Sequence, residues 1–331
     1  MLRARADAAG EALDAIGPLL DQFRQSVLAA AFRGDLTKAW REANPDVESA
    51  SELLERIRTE RRQKWQEANP KKAYVQPEPI DPTGLPDLPE GWCWAILQKL
   101  AELKGGLAKG KQNGAETKLV EVPYLRVANV QRGYLDLSEI KTITATIAEA
   151  KDLQLVEGDV LFNEGGDRDK LGRGWVWGGE IANCIHQNHV FRARIFPGAS
   201  VPEFVSHYGN SERARNYFLQ SGQQTTNLAS INMSQLKALP LPVPPYAEQA
   251  EIVRLMTEMF VFADQAKRRD AFLVGLLQAL NQSILAKAFR GELVPQDLND
   301  EPASLLLERI RAERAAAPAP ARRGRRPKPS P

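Results

Sequence analysis

Two groups of residues have the spacing of catalytic motifs, and neither survives inspection. Pro86-Asp87 followed by Glu102-Leu103-Lys104 is spaced like a metal-dependent nuclease site. Asp87, however, sits among prolines and not on a strand, so it cannot share a metal with Glu102 in a fixed geometry. Val243-Pro244-Pro245-Tyr246 has the form that holds a target amine for methyl transfer, but it lacks the leading Asn or Asp that would accept the amine. No glycine-rich cofactor loop and no phosphate-cradling loop accompanies it. His186 and His189 could chelate a metal, but no further His or Cys stands at ligand spacing, so polar or structural roles are favoured for both.

What remains is suited to binding. Asn163 to Gly174 holds four glycines and the cations Arg168, Lys170 and Arg173 in twelve residues. Glycine permits close backbone approach, and the cations suit phosphates or guanine edges; a plain solvated loop is the competing reading. His186, Gln187, Asn188 and His189 form a polar run before a strand. Gln and Asn suit adenine edges, and Arg192 follows on the strand with Arg194 on the same face. A third cluster, Gln223, Thr225, Thr226, Asn227 and Asn232, offers amides and hydroxyls to phosphate oxygens. Its competing reading is the N-cap region of a helix over 233–239. A fourth, with Arg126 and Asn129, alternates polar residues outward from 124–129. Over residues 91–245, 17 basic residues face 15 acidic ones, which is far from a strongly basic nucleic-acid domain.

The elements that must position these groups begin with a repeat. Residues 25–36 read QSVLAAAFRGDL and residues 282–293 read QSILAKAFRGEL; LLERIR follows each, at 53–58 and at 306–311. Apolar residues step by three and four through Leu13, Ile16, Leu20, Phe23, Val27 and Ala30. They do so again through Ile252, Met256, Met259, Ala263, Ala266, Leu273, Leu277, Leu280 and Ile284, with Asp270 interrupting. Gly34 and Gly291 stand where a helix end favours a left-handed residue. Pro244-Pro245 marks the start of a helix reaching Arg290, roughly 65 Å long at about 1.5 Å per residue. Helices of that length need a partner, so an antiparallel helical strut of fixed length is expected. Aligned without gaps, Met1 falls opposite Glu258, so the first copy reads as a unit whose front is cut or never existed.

Between the repeats, strands are expected at 123–127, 159–162, 175–177 and 189–195, and a helix at 201–221. The fold class is therefore α+β: one mixed α/β domain plus long antiparallel coiled-coil spacer helices. The expected divisions are 1–69 (spacer helix and short charged helix), 70–90 (proline-rich linker), 91–245 (α/β domain), 246–314 (second spacer and short helix) and 315–331 (a basic tail, disordered by composition).

The chain has 331 residues, 44 Lys+Arg against 42 Asp+Glu, 43% hydrophobic and 26% charged residues. That is the composition of a globular protein and excludes disorder throughout. No unbroken uncharged apolar run approaches 18 residues, so no membrane span is expected. Cys93 and Cys184 are too few for a disulfide framework, which suggests a reducing, cytoplasmic setting.

Taken together, the chain resembles the specificity subunits of Type I restriction–modification enzymes, in a single-recognition-domain, half-length or truncated form. The carriers are Leu88-Pro89-Glu90-Gly91-Trp92-Cys93-Trp94, Tyr124 to Val130, Gly158 to Gly166 with Leu171-Gly172-Arg173, Gln187 to Arg192, and Leu241 to Gln249, together with both helical repeats. The resemblance implies a non-catalytic, cytoplasmic DNA-binding subunit of a restriction and DNA methylation system used in phage defence. Residues 91–245 would be the target recognition domain reading a half-site of double-stranded DNA. The helices would dock methyltransferase subunits and, through them, the motor–nuclease subunit. S-adenosylmethionine, ATP and Mg would belong to those partners, with no cofactor in this chain and no membrane partner. Family members usually carry two recognition domains; this chain has one. Either a preceding domain is missing, or a second copy or another specificity chain completes the reader. The alternative is a truncated scaffold that binds partners without reading DNA.

Overall fold

The computed structural model describes residues 2–77, 79–108, 118–166, 171–221, 223–224, 229–295, 297 and 299–316. Helices α1 (Leu2–Asp14), α2 (Ile16–Arg33), α3 (Lys38–Ala43) and α4 (Ala50–Ala68) come first. Strands β1 (Cys93–Ile96), β2 (Ala101–Lys104), β3 (Leu119–Leu125), β4 (Val130–Gln131), β5 (Tyr134–Leu135) and β6 (Lys141–Thr146) precede α5 (Ile147–Asp152). Then come β7 (Asp159–Asn163), β8 (Gly165–Gly166), β9 (Gly174–Val176), β10 (Ile185–His186) and β11 (Val190–Ile195). Helices α6 (Pro202–Gly209) and α7 (Glu212–Ser221), strands β12 (Gln223–Gln224) and β13 (Ala229–Ser230), α8 (Met233–Lys237) and β14 (Pro240–Val243) complete the domain. The chain ends in α9 (Tyr246–Phe289) and α10 (Ala303–Ala316).

By contacts the chain forms two units, residues 1–14 with 270–331 and residues 15–269. In the larger unit a four-stranded sheet runs β2-β11-β7-β9, all antiparallel. A second sheet runs β10-β3-β6, with β10 parallel to β3. The largest core unites both kinds of element: Val27, Leu28, Phe32, Leu53 and Ile57 from the leading helices pack with Phe162, Phe204, Tyr208 and Phe218. The leading helices thus share one core with the sheet domain. The reason is apolar: Leu53 and Ile57, one turn apart on α4, are 0% and 2% exposed and have nowhere else to bury.

The four strands expected from sequence are present, each displaced by a few residues at most. The helix expected at 201–221 is two helices broken at Asn210. The side chain of Asn210 accepts from Gly174 N and donates to Gly174 O at 2.7 Å, which ties the break to the sheet, and Ser211 Oγ accepts from Ala214 N as the second helix begins. Residues 315–316 close α10, and 317–331 lie outside the described residues.

Within the larger unit α2 and the first part of α9 run antiparallel. Arg24 meets Asp264 at 2.6 Å, whereas Thr37 and Arg41 meet Glu248. Ile252, Met256 and Ala263 of the expected seam are buried; Leu273 and Leu280, farther along, are 46% and 53% exposed. By length and composition α9 could also cross a membrane, with an 18-residue window of mean hydropathy 1.3. A search for unbroken apolar runs passes over it because Gln278, Asn281, Gln282 and Ser283 interrupt the run. In the smaller unit α1 lies along the distal part of α9, where Gly10 faces Leu277.

The sequence repeat is also a repeat of bonds. At the end of α2, Gly34 N donates to Ala31 O at 3.1 Å and Asp35 N to Ala30 O at 2.9 Å. After α9, Gly291 N donates to Ala288 O at 3.0 Å and Glu292 N to Lys287 O at 2.9 Å. Both glycines are left-handed, at φ 80° and 73°, as the helix ends require. Arg33 pairs with Asp35 as Arg290 pairs with Glu292.

Candidate nucleic-acid interface

Four chain segments meet at one edge of the sheet domain. Gln187 N donates to Leu125 O, and Val190 N to Gln187 O at 2.8 Å, closing a tight turn with Asn188 and His189 at its tip. Leu107 holds that turn from one side: its N–H reaches His186 O at 2.8 Å and its carbonyl accepts from Asn188 N at 3.1 Å. Glu164 holds it from the other, donating to His189 O and accepting from Ile231 N. Strand β13 then pairs with β8. The close approach of 105–107 needs Gly106, where a Cβ would lie 2.1 Å from His186 O and 2.3 Å from Gln187 O.

The residues named from sequence divide into interior and surface. Asn129, Asn163, His186 and Arg192 are 3%, 0%, 0% and 1% exposed. All four side chains lie inside the domain, and their contact with DNA stays a proposal. Asn129 Nδ2 donates to Asp136 O and Glu139 O, and its Oδ1 accepts from Arg126 N, fixing a turn. Asn163 Nδ2 donates to Val130 O at 2.8 Å and Val127 O at 3.2 Å, tethering the segment before the β4–β5 hairpin. His186 Nδ1 donates to Val190 O at 2.6 Å. Burial pushes its pKa down to about 4, so the ring is neutral at pH 7. Arg192 lies beside the carbonyls of Asp152 and Gln154 and 3.6 Å from Glu102, and desolvation lowers its pKa. Asn232 caps α8, accepting from Gln235 N at 2.9 Å, so the helix-cap reading of that cluster describes it.

The surface set is smaller. Gln187 and Asn188 are half-buried and His189 is exposed. His189 Nδ1 pairs with Glu164 Oε2 at 2.6 Å, which holds the ring on the turn. Arg126 and Arg173 are also half-buried. The Arg126 guanidinium bonds Glu139, and that of Arg173 lies 3.4 Å from Val127 O. Gly172 and Gly174 do make close approaches, but to Phe218 and to the Leu161 carbonyl of their own chain. Arg168, Lys170, Thr225, Thr226 and Asn227 lie outside the described residues, as does the side chain of Gln223. Among the described residues no group of three His, Cys, Asp or Glu gathers as a metal site. Glu102 of the rejected nuclease motif faces Arg192.

Sequence reading missed the polar clamp that holds the domain on its helices. Glu248, 0% exposed, accepts from Thr37 Oγ1 at 2.6 Å, from Arg41 and from Trp92 Nε1 at 2.8 Å. Gln249, equally buried, accepts from Ser200 Oγ and Val201 N and donates to Pro244 O. The signal was available: Glu248 stands four residues before Ile252 on the stripe that continues to Met256, a carboxylate on a buried face.

No family model matches the chain. It is 29% identical over 328 residues to the Type I restriction enzyme EcoKI specificity subunit of Escherichia coli (strain K12), covering 96% of this chain and 60% of that protein. It is 28% identical over 329 residues to the EcoBI specificity subunit of Escherichia coli, covering 96% and 61%. The chain thus spans about 60% of the length of these relatives. A solved structure from work on complex assembly and conformational transition of the type I R-M system superposes with a TM-score of 0.50. It has 18% identity and covers 88% of this chain and 59% of the other. At that identity the likeness is one of fold. Along nearly its whole length, then, this chain resembles Type I restriction enzyme specificity subunits.

Proposed function

We propose that this chain is a non-catalytic DNA-specificity subunit of a Type I restriction–modification complex, with the domain at 91–245 reading a half-site. The observation that carries the reading is sequence likeness to such subunits over 96% of the chain. The geometry agrees with it. The Gln187–Val190 turn offers amide and imidazole groups at a braced edge, and Arg126 and Arg173 stand at turns tethered to the same strand end by Asn163. Amides and guanidinium groups are the side chains that read adenine and guanine edges. The basic loop residues Arg168 and Lys170 and the amide and hydroxyl residues Gln223, Thr225, Thr226 and Asn227 remain part of this proposal on their chemistry alone.

The partners in this reading are double-stranded DNA, methyltransferase subunits and a motor–nuclease subunit. S-adenosylmethionine, ATP and Mg would belong to those partners. One domain discriminates weakly, because each wrong base pair costs about 1–3 kcal/mol and a half-site holds few of them. A second reader at fixed spacing multiplies the two discriminations, which gives the long helices a physical purpose. The test is methylome sequencing of a host expressing this chain with its methyltransferase partner. An interrupted motif is expected, palindromic for paired copies and asymmetric for a different second reader. Absence of any motif alongside stable methyltransferase binding would replace this reading with the scaffold.

A further inference from the structure

The tip of the Gln187–Val190 turn carries a chain of side-chain hydrogen bonds whose direction is fixed at both ends. At one end Glu164 Oε2 lies 2.6 Å from His189 Nδ1. An ionised carboxylate only accepts, so Nδ1 carries a proton. At the other end Asn188 Nδ2 lies 3.4 Å from His189 Nε2. An amide nitrogen only donates, so Nε2 must accept and carries no proton. Both contacts demand the same form of the ring: neutral, with its proton on Nδ1. Free histidine side chains favour the other tautomer, so the turn holds this ring in its less common form.

Glu164 is placed to impose that choice. It stands between the end of β7 and the start of β8, and its neighbours Asn163 and Gly165 pair with Val190 and Ser230. Its own N–H donates to His189 O at 3.0 Å, and its carbonyl accepts from Ile231 N at 2.8 Å. Ile231 is 1% exposed, so the backbone under the carboxylate is fastened to the core. The Glu164 side chain is 30% exposed and that of His189 52%. The acceptor is thus the sheltered partner and the ring the open one. His186, three residues earlier, also donates through Nδ1, but to the carbonyl of Val190.

We infer that Glu164 is a positioning residue, which fixes the His189 tautomer and, through it, the orientation of the Asn188 amide at the tip of the turn. One Nδ2 hydrogen of Asn188 is committed to the ring. The other hydrogen and Oδ1 remain to meet a ligand. Flipping the amide would set its oxygen against the unprotonated Nε2, acceptor against acceptor, so the order of donor and acceptor is held. A donor and an acceptor in fixed order match an adenine edge, where N7 accepts and N6 donates. A half-buried carboxylate behind the ring thereby governs what the amide in front of it can read. The consequence for DNA rests on the functional reading above; the tautomer does not.

Long-range proton–nitrogen-15 NMR of the full chain reads the tautomer directly at about pH 8.5, where an ordinary imidazole is neutral. The chain has three histidines, and His189→Gln identifies the pattern of this one. His189 should show the Nδ1–H pattern and should revert to the Nε2–H pattern in Glu164→Ala. An Nε2–H pattern in the wild type overturns the inference without any variant having to fold. An unchanged pattern in Glu164→Ala overturns it as well. In DNA binding at one salt concentration, Glu164→Ala should lower the preference for cognate over mismatched sites about tenfold while Tm holds. Tighter binding to every sequence with the preference unchanged would mean that Glu164 acts through its charge alone, and overturns the inference. If the wild type shows the Nδ1–H tautomer, Glu164→Ala loses it and neither prefers any sequence, the relay stands and the functional reading falls.

Discussion

Glu248 and Arg41 form an ion pair at 2.5 Å, with the carboxylate fully buried and the guanidinium one-fifth exposed. It joins the first turn of α9 to the chain following α2, and Trp92 at the entry to β1 donates to the same carboxylate. Removing one partner of a buried pair leaves the other desolvated and unmatched, at a cost of about 3–5 kcal/mol. Glu248→Ala should therefore lower the urea midpoint sharply. Glu248→Gln should lower it less, because an amide oxygen still accepts from Trp92 or Thr37. Equal loss in the two variants would show that packing, not the acceptor, matters at this position.

Two buried histidines set an acid limit. Burial lowers the pKa of His186 to about 4 and that of His207, packed against Trp175 and Phe260, also to about 4. An unfolded histidine titrates near 6.5, so below that pH the unfolded chain binds protons that the folded chain refuses. Stability is full above about pH 6.5 and falls as pH drops toward 4. At pH 5 the loss is about 2 kcal/mol per histidine. Urea titrations at pH 7 and pH 5 should show the drop, and His207→Phe should remove about half of it. An unchanged pH slope in that variant would place the proton uptake elsewhere.

Surface and interior polar residues should separate cleanly in a paired assay. Gln187→Ala and Asn188→Ala should lose about 1–3 kcal/mol of discrimination between cognate and mismatched DNA while Tm holds. Arg192→Ala should do the reverse, because the side chain is 1% exposed and lies beside two backbone carbonyls. Its Tm should fall, with DNA preference surviving in whatever remains folded. A fall in Tm for Gln187→Ala as large as that for Arg192→Ala would assign the turn to the fold and not to recognition.

The long-range frame was legible because it follows from periodicity. The 3.6-residue stripe through Ile252 and Met256 and the left-handed glycines at 34 and 291 need only local rules. The site was legible as a region but not residue by residue. Gln187 and Arg192 are five positions apart and equally polar in the sequence; one ends at a turn and the other under a sheet. Alternation on β11 gives no warning, since Arg192 pairs across to Leu161 and Lys104 in the middle of the four-stranded sheet. Whether a strand is covered on both faces depends on elements far away in the chain, here the loop at 152–154 that supplies carbonyls to Arg192. Asn163 misleads for the same reason: its partners at 127 and 130 are more than thirty residues upstream.

Gly106 offers a test of how the recognition edge is braced. Its φ lies outside the left-handed region, so the obstacle to a side chain there is space. A Cβ would collide with His186 O and Gln187 O. Gly106→Ala must therefore push residues 105–107 away from the turn, breaking Leu107 N to His186 O and Asn188 N to Leu107 O. Two such bonds contribute about 1–3 kcal/mol together. The stability loss should be of that size. The turn should also lose its pairing with Leu107, so discrimination between DNA sites should fall together with Tm. Gly105→Ala is the control, because a Cβ there meets nothing within 4 Å. If both alanine variants keep wild-type stability and sequence preference, the turn is braced by Glu164 and Leu125 alone and the 105–107 segment plays no part in holding it.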